Sequence, residues 1–205
     1  MNKFKFPKKV IIIAEAGVNH NGSLGLAFKL IKAAKKCGAD IVKFQLFKTN
    51  NLITQKADKP KYISENNSLQ KKSQFQILKE LELSIKQMKI LSNYCKKMNI
   101  EFMLSPFDVE CILDIKKLNL KKIKIPSGEI NNLPYLREIA RQKKNVIMST
   151  GMSNMREVES AIKILKSNGL PKNKITVLHC TTDYPTNLKD VNLSAMILMR
   201  DKLGV

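Results

Sequence analysis

The sequence has no tryptophan and few aromatic residues, which make up only 6% of its 205 positions. Acidic residues are also scarce, because 17 Asp and Glu stand against 37 Lys and Arg and leave a formal net charge of +20. A charge of this size raises the question of nucleic-acid binding. The basic residues are spread along the chain rather than clustered, however, and there is little aromatic material for stacking on bases. We therefore predict a solvated cationic surface and no nucleic-acid partner.

The sequence also lacks long apolar stretches and metal-binding cysteine patterns. No run approaches the roughly 18 apolar residues of a membrane span, and the basic segment 1–9 has no apolar core of a signal peptide. The four cysteines, Cys37, Cys95, Cys111 and Cys180, are far apart and form no CxxC pair. These absences predict a cytoplasmic protein without membrane association, whose cysteines are buried free thiols rather than zinc ligands.

Short apolar segments alternate regularly with amphipathic ones along the chain. The apolar segments have the length and composition of strands buried on both faces of a sheet. The predicted strands cover 10–14, 41–47, 100–104, 121–125, 145–149 and 174–179. The predicted helices cover 23–37, 74–98 with a break near 83–84, 108–118, 132–142, 154–168 and 193–202, and a polar loop covers 48–72. This alternation predicts right-handed βαβ units and a parallel sheet.

Polar or small residues follow nearly every predicted strand, and their placement separates two α/β architectures. A (β/α)8 barrel carries functional groups at the carboxyl ends of all its strands. A doubly wound sheet gathers them at one switch point, and no glycine-rich phosphate motif follows the first strand here. We therefore predict an α/β fold of the (β/α)8 TIM-barrel type. Because about six βα units are present, we expect residues 1–205 to form a single barrel domain that is truncated before strands 7 and 8.

Two lysines, Lys43 and Lys124, lie in strands that are otherwise apolar. Burying an unpaired ammonium group is costly, so both are expected to face a site that holds negative charge. The segments 127–128 and 149–151 add hydroxyl groups and backbone N–H groups suited to phosphate oxygens. The residues alone leave open that these segments are only turns and helix caps.

The carboxylates and histidines allow more than one role. Glu15 has the position of a general base or of a group that holds metal-bound water, and Glu129 that of a residue orienting a polar substrate. A salt bridge from Lys43 to either carboxylate is the alternative. His20 and His179 lack evident partners for a metal site, so we interpret both as structural histidines.

Seven short segments, in order along nearly the whole chain, resemble motifs of the sialic acid synthase family, which includes N-acetylneuraminate, legionaminate and pseudaminate synthases. They are IIAEAGVNHNGS at 12–23, GADIVKFQ at 38–45, LELS at 81–84, SPFD at 105–108, KIPSGE at 124–129, STGM at 149–152 and HCTTDYP at 179–185. The resemblance implies condensation of phosphoenolpyruvate with an N-acetylated hexosamine aldehyde. The aldehyde would be N-acetylmannosamine or a diacetamido-trideoxyhexose, and the products a nonulosonic acid and phosphate.

The resemblance also implies a role for each candidate residue. The carboxylate and phosphate of phosphoenolpyruvate would be held by Lys43, Lys124, Ser127 and Ser149, with Ser105 close to the same ligand. The sugar would contact Gln45, Glu129 and Tyr184, while Glu15 would lie beside a divalent metal, Mn²⁺ or Mg²⁺, and its water. Thr182 occupies a position where some family members have Asn, so the resemblance implies a substrate contact of Thr182 less directly than those of the other residues.

The chain departs from the family pattern in what it does not contain. Family members continue with a seventh and an eighth strand that carry histidine metal ligands, and then with an antifreeze-like domain. The resemblance therefore implies that the metal ligands lie beyond Val205, that this chain alone is inactive, and that the full-length protein is a homodimer. An inactive remnant or a phosphosugar-binding module of the same fold is the alternative. The acyl sugar cannot be read from the sequence, although the loop 50–72 is expected to shape its pocket.

Overall fold

The computed structural model describes residues 10–59 and 71–204. Its six strands form one wholly parallel sheet in which neighbours follow each other in chain order. The strands are β1 (Ile13–Gly17), β2 (Ile41–Leu46), β3 (Glu101–Pro106), β4 (Lys122–Ile125), β5 (Asn145–Ser149) and β6 (Ile175–Leu178). A doubly wound sheet would place its first strand inside the sheet. The sequential order is that of a barrel wall, which confirms the predicted TIM-barrel type.

Helices alternate with the strands as predicted. They are α1 (Leu24–Lys36), α2 (Thr49–Leu52), α3 (Gln74–Leu81), α4 (Ile85–Lys97), α5 (Val109–Asp114), α6 (Leu133–Arg141), α7 (Met155–Ser167) and α8 (Ser194–Leu203). The predicted break near 83–84 is present because Ser84 begins α4 with a reciprocal capping box to Gln87. The short helix α2 lies in the predicted polar loop 48–72, and residues 60–70 of that loop lie outside the described residues.

The two faces of the sheet bury different residues. The outer face packs on the helices, so that Phe44 and Leu104 join a large apolar core with Leu91 of α4. The inner face carries a small second cluster made of Ile41, Met103 and Ile147, against which Ile13 and Leu178 also pack. Because the last two residues belong to the first and last strands, the sheet curls around this cluster as a half barrel. Alternation along each strand then places the odd-numbered residues of β2 and β3 on the concave side.

Two predictions about burial were wrong. Residues 10–12 are exposed, and β1 begins three positions later than predicted. Within the described residues β1 pairs only with β2 and β6 only with β5. β1 is therefore an edge strand, and among the described residues no second neighbouring strand covers the apolar residues 10–12. Cys37 is exposed because it caps the carboxyl end of α1. All four cysteines are free, and two of them, Cys95 and Cys111, are buried as predicted.

No helix in the described ranges is both long enough and apolar enough to cross a membrane. The helices instead pair side by side around the outside of the sheet, where α6 packs on α7 and α1 packs on α4. Tyr135 of α6 is fully buried and donates a hydrogen bond from its hydroxyl to the carbonyl of Pro106, 2.8 Å away. This bond ties α6 to the carboxyl end of β3, close to the polar residues described below.

The turn after β1 depends on a glycine at position 22. Gly22 has φ +73°, and a Cβ atom there would lie 2.2 Å from the carbonyl oxygen of Glu80 in α3. We therefore predict that Gly22→Ala lowers the free energy of unfolding by more than about 2 kcal/mol. Gly38 is the matched control, because it has φ +80° but nothing within 4 Å of such a Cβ. Gly38→Ala should cost only about 1 kcal/mol. Equal losses in urea denaturation would contradict the close packing at Gly22.

Candidate anion-binding site

Polar side chains from five neighbouring strands meet on the concave side, at the carboxyl ends of β1 to β5. The sheet register pairs Glu15 with Lys43 and Gln45 with Ser105. Lys124 and Ser149 continue the row on β4 and β5, where they are linked by a hydrogen bond. The parallel strands therefore bring together the residues that the sequence placed at separate strand ends.

Lys43 lies between Glu15 and Ser105 in this row and is only 6% exposed. Its Nζ atom is 2.6 Å from Glu15 Oε2 and 3.3 Å from Ser105 Oγ, so the ion pair with Glu15 that the sequence left open is present. The Glu15 side chain is 61% exposed. An ion pair with one partner in water contributes about 0–1 kcal/mol, so the pair can open at little cost. The ammonium group retains one N–H for a ligand.

Lys124 is also 6% exposed but has a different environment. Its Nζ atom donates to the carbonyl of Ile125, 2.8 Å away, and to Ser149 Oγ. Within the described residues no carboxylate forms an ion pair with Lys124. Burial, with a smaller contribution from the positive charge of Lys43, lowers the pKa of Lys124 from 10.5 to about 8. A buried cation without an anionic partner is a candidate for binding an anionic ligand.

Hydroxyl groups surround the two lysines. Ser149 Oγ accepts from Lys124 and lies 3.2 Å from the sulfur of Cys180. Ser127 Oγ accepts from the backbone N–H of Gly151, 3.0 Å away. A Cβ atom at Gly151 would lie 2.1 Å from Thr182 Oγ1 and 3.0 Å from Ser127 Oγ. The glycine thus lets the loops after β4, β5 and β6 converge beside the lysines.

Glu129 and Gln45 are half-buried and lie farther out along the strand ends. Glu129 accepts a hydrogen bond from Asn132 Nδ2 at 2.7 Å. Burial raises the pKa of Glu129, and the nearby charge of Asp108 acts in the same direction, while the bond from Asn132 opposes both. Thr182 is exposed and Tyr184 is 89% exposed, so the structure does not bring Tyr184 into a buried site.

The two histidines differ in their surroundings. His20 is fully buried beside Phe44, and its Nδ1 atom accepts from the backbone N–H of Gly22 at 3.0 Å. Burial lowers the pKa of His20, which fits a neutral structural histidine. Its Nε2 atom has no hydrogen-bond partner among the described residues, so its hydrogen bonding is only half satisfied. His179 is half-exposed and lines a cleft with Cys180 near α8.

A divalent metal does not fit the described residues on their own. In residues 10–59 and 71–204, no group of three or more His, Cys, Asp or Glu side chains could hold a metal ion. Glu15, the carboxylate expected beside the metal, instead forms an ion pair with Lys43. The described cluster is therefore an anion site, built from ammonium, hydroxyl and backbone N–H groups.

Sequence reasoning missed one member of the cluster. Cys180 was predicted to be a buried free thiol, yet it is half-buried and contacts Ser149. No local signal in the sequence indicates this contact, because it depends on how β6 lies beside β5.

The chain is similar to known proteins over most of its length. Residues 30–205 match the model of the NeuB family. The chain is 50% identical over 194 residues to N,N'-diacetyllegionaminic acid synthase of Campylobacter jejuni, and 33% identical over 205 residues to pseudaminic acid synthase of the same species. A crystal structure of N-acetylneuraminic acid synthetase from Leptospira borgpetersenii, in complex with citrate, superposes with a TM-score of 0.80 at 32% identity.

The matches cover nearly all of this chain but only part of each relative. They span 95% of the chain and 58% of the legionaminic acid synthase, and 100% of the chain and 59% of the pseudaminic acid synthase. For the Leptospira structure the corresponding shares are 95% and 62%. The chain thus spans somewhat more than half the length of the relatives it matches. The match to the family over residues 30–205 confirms the resemblance that the motifs predicted, and the chain belongs to the NeuB family.

Proposed function

We propose that the protein is a nonulosonate synthase that condenses phosphoenolpyruvate with an N-acylated amino-sugar aldehyde. The observation that carries the proposal is the pair of buried lysines on the concave side of the half barrel. Lys124 lacks an anionic partner among the described residues, and Lys43 has only the exposed Glu15. Such a site suits a small ligand with several negative charges, and phosphoenolpyruvate carries both a phosphate and a carboxylate.

The proposed binding mode uses the groups that surround the lysines. The ion pair between Lys43 and Glu15 would open, and Lys43 and Lys124 would each donate an N–H to the carboxylate or the phosphate. The hydroxyls of Ser149, Ser127 and Ser105 would complete the hydrogen bonds. An anion also removes the cost of the unpaired charge on Lys124, so part of the energy spent on burying this residue is recovered on binding.

The proposed reaction forms one C–C bond and one C–O bond, and it breaks the C–O bond that links the carbon to phosphate. The methylene carbon of phosphoenolpyruvate attacks the aldehyde carbon, and the aldehyde oxygen takes up a proton to become a hydroxyl. Water then adds to the carboxyl-bearing carbon, phosphate leaves with the bridging oxygen, and a ketone remains. Both lysines would stabilise the anionic groups throughout, as preorganised charges do in active sites. Glu15, exposed beside Lys43, is proposed to accept the proton of the attacking water.

The sugar would bind on the outer side of the lysines. Gln45 and Glu129 are proposed to contact its hydroxyl and amide groups, with Thr182 and the exposed Tyr184 closing over it. The 50% identity to a protein named N,N'-diacetyllegionaminic acid synthase favours a diacetamido-trideoxyhexose over N-acetylmannosamine. Mn²⁺ or Mg²⁺ is part of the proposal. Its ligands would have to come from residues outside those described, and none of the steps above is assigned to it.

We further propose that additional strands close the barrel at the free edges of β1 and β6. The one-sided pairing of these strands and the greater length of the relatives support this arrangement. In this proposal residues 1–205 alone bind phosphoenolpyruvate but do not turn it over. The closed protein would be a homodimer, acting in the cytoplasm as predicted from the sequence.

The test is phosphate release from phosphoenolpyruvate, measured with and without each sugar and Mn²⁺. Two proteins are compared: residues 1–205, and a fusion of these residues to the part of the Campylobacter legionaminic acid synthase that the match does not cover. We expect sugar-dependent release from the fusion only, and none from the same fusion carrying Lys124→Met. Release by residues 1–205 alone would overturn the need for further strands. A fusion that binds phosphoenolpyruvate but releases no phosphate with either sugar would favour a binding module over a synthase.

A further inference from the structure

The hydroxyl of Ser149 has two neighbours that both donate hydrogen bonds to it. Lys124 Nζ is one of them, and an ammonium group has no lone pair, so it can only donate. The other is Cys180, whose sulfur lies 3.2 Å from Ser149 Oγ. A thiol sulfur is a poor acceptor, so the favourable arrangement has the S–H group donating to the serine oxygen.

This arrangement fixes where the serine proton can go. A hydroxyl has one O–H and two acceptor positions. With Lys124 on one acceptor position and Cys180 on the other, Ser149 has only its O–H left, and that bond must point away from both partners. Ser149 is 7% exposed on the concave side of β5, beside the lysines. The remaining direction is therefore the interior of the half barrel, where the anion is proposed to bind.

We propose that Cys180 is a positioning residue of the anion site, which holds the Ser149 hydroxyl as a hydrogen-bond donor toward the bound phosphate or carboxylate. The inference rests on the proposed function for the nature of the anion. Cys180 itself does not touch the ligand and takes part in no covalent step. Its contribution is preorganisation, because a hydroxyl that already points at the ligand loses less freedom on binding.

A second hydroxyl in the cluster is held in a related way. The backbone N–H of Gly151 donates to Ser127 Oγ at 3.0 Å and so occupies one of its acceptor positions. Ser127 retains one free acceptor position and its O–H, whereas Ser149 retains only its O–H. The orientation of the Ser149 hydroxyl thus depends on Cys180. The orientation of the Ser127 hydroxyl depends on Gly151 instead. Removal of the thiol should consequently affect one hydroxyl and leave the other in place.

The experiment is calorimetric titration of the protein with phosphoenolpyruvate and, separately, with inorganic phosphate. Wild type is compared with Cys180→Ala, Cys180→Ser and Cys37→Ala. Loss of a neutral hydrogen bond that orients a donor should weaken binding of Cys180→Ala about three- to tenfold. Cys180→Ser restores a donor at the same position and should stay within about twofold of wild type. The exposed Cys37 is a matched control for a cysteine-to-alanine change and should leave affinity unchanged.

The outcomes separate this inference from the proposed function. If Cys180→Ala binds both anions as tightly as wild type, or more tightly, the thiol does not orient Ser149. If Cys180→Ser is as weak as Cys180→Ala, Cys180 acts through packing alone, and the inference also falls. Wild type that binds inorganic phosphate but not phosphoenolpyruvate would overturn the proposed substrate, while the cysteine variants would still be judged on phosphate. Wild type that binds neither anion would overturn both. Thermal unfolding of each variant verifies that it is folded.

Discussion

Replacing Lys124 with methionine is expected to weaken the binding of phosphoenolpyruvate by at least about 30-fold, which corresponds to about 2 kcal/mol. The side chain is buried, has no carboxylate partner among the described residues and lies between Ser149 and Lys43. Methionine keeps the length of the side chain but removes both the charge and the N–H donors. The measurement is calorimetric titration of wild type and Lys124→Met at a pH of about 7, where Lys124 is charged in the folded protein.

The matched control is another lysine of the same strand. Lys122 lies two residues before Lys124 on β4, and its Nζ atom pairs with both carboxylate oxygens of Glu101, at 2.9 and 3.0 Å. Its charge is therefore already neutralised near the opposite end of the strand. Lys122→Met should leave the affinity within about threefold of wild type, because it removes a charge that is paired and remote from the site. An equal loss in both variants would mean that the general positive charge of the protein, rather than this site, attracts the ligand.

Lys124→Met is also expected to be more stable than wild type at neutral pH, by about 1–3 kcal/mol in the absence of ligand. Burial lowers the pKa of Lys124 to about 8 in the folded protein, against 10.5 for an ordinary lysine. The charged side chain is thus disfavoured by folding, and methionine removes this penalty. Some of the gain is offset because the hydrogen bonds to Ile125 and Ser149 are lost as well.

The pH dependence of this stability difference has a definite sign. Between about pH 8 and 10.5 the unfolded chain keeps its proton on Lys124 while the folded protein releases it, so wild-type stability rises with pH in this window relative to Lys124→Met. The penalty is fully present below about pH 8 and fades toward pH 10.5. Urea denaturation of both proteins at about pH 7 and 10 measures the change. A stability difference that does not shrink with pH, or a wild type more stable at neutral pH, would contradict a buried uncompensated cation.

The sequence was sufficient to predict that Lys43 and Lys124 face a common site. The cost of burying an ammonium group predicts that both face an anionic site, and the structure buries both, with Lys124 close enough to sense the charge of Lys43. The helix starts were predictable for a similar reason, since Ser23 and Ser84 supply side-chain caps that need only a few neighbouring residues. Both features could be predicted because each depends on the chemistry of a residue and its near neighbours in the chain.

Pairings between strands were not predictable in the same way. The sequence left Lys43 with either Glu15 or Glu129, and only the register of β1 against β2 brings Glu15 opposite Lys43. The contact of Cys180 with Ser149 likewise depends on how β6 lies beside β5. Such contacts join residues far apart in the chain, and no local pattern records them. The late start of β1 has the same origin, because an edge strand is not recognisable from its own apolar residues.

The most direct test of the account is a crystal structure of the protein with phosphoenolpyruvate. The account predicts the ligand on the concave side of the half barrel, with carboxylate or phosphate oxygens within hydrogen-bonding distance of both Lys43 Nζ and Lys124 Nζ and of the Ser149 hydroxyl. It also predicts that the ion pair between Lys43 and Glu15 is broken in the complex. A ligand bound elsewhere on the cationic surface, with the Lys43–Glu15 pair intact and Lys124 untouched, would contradict the central claim.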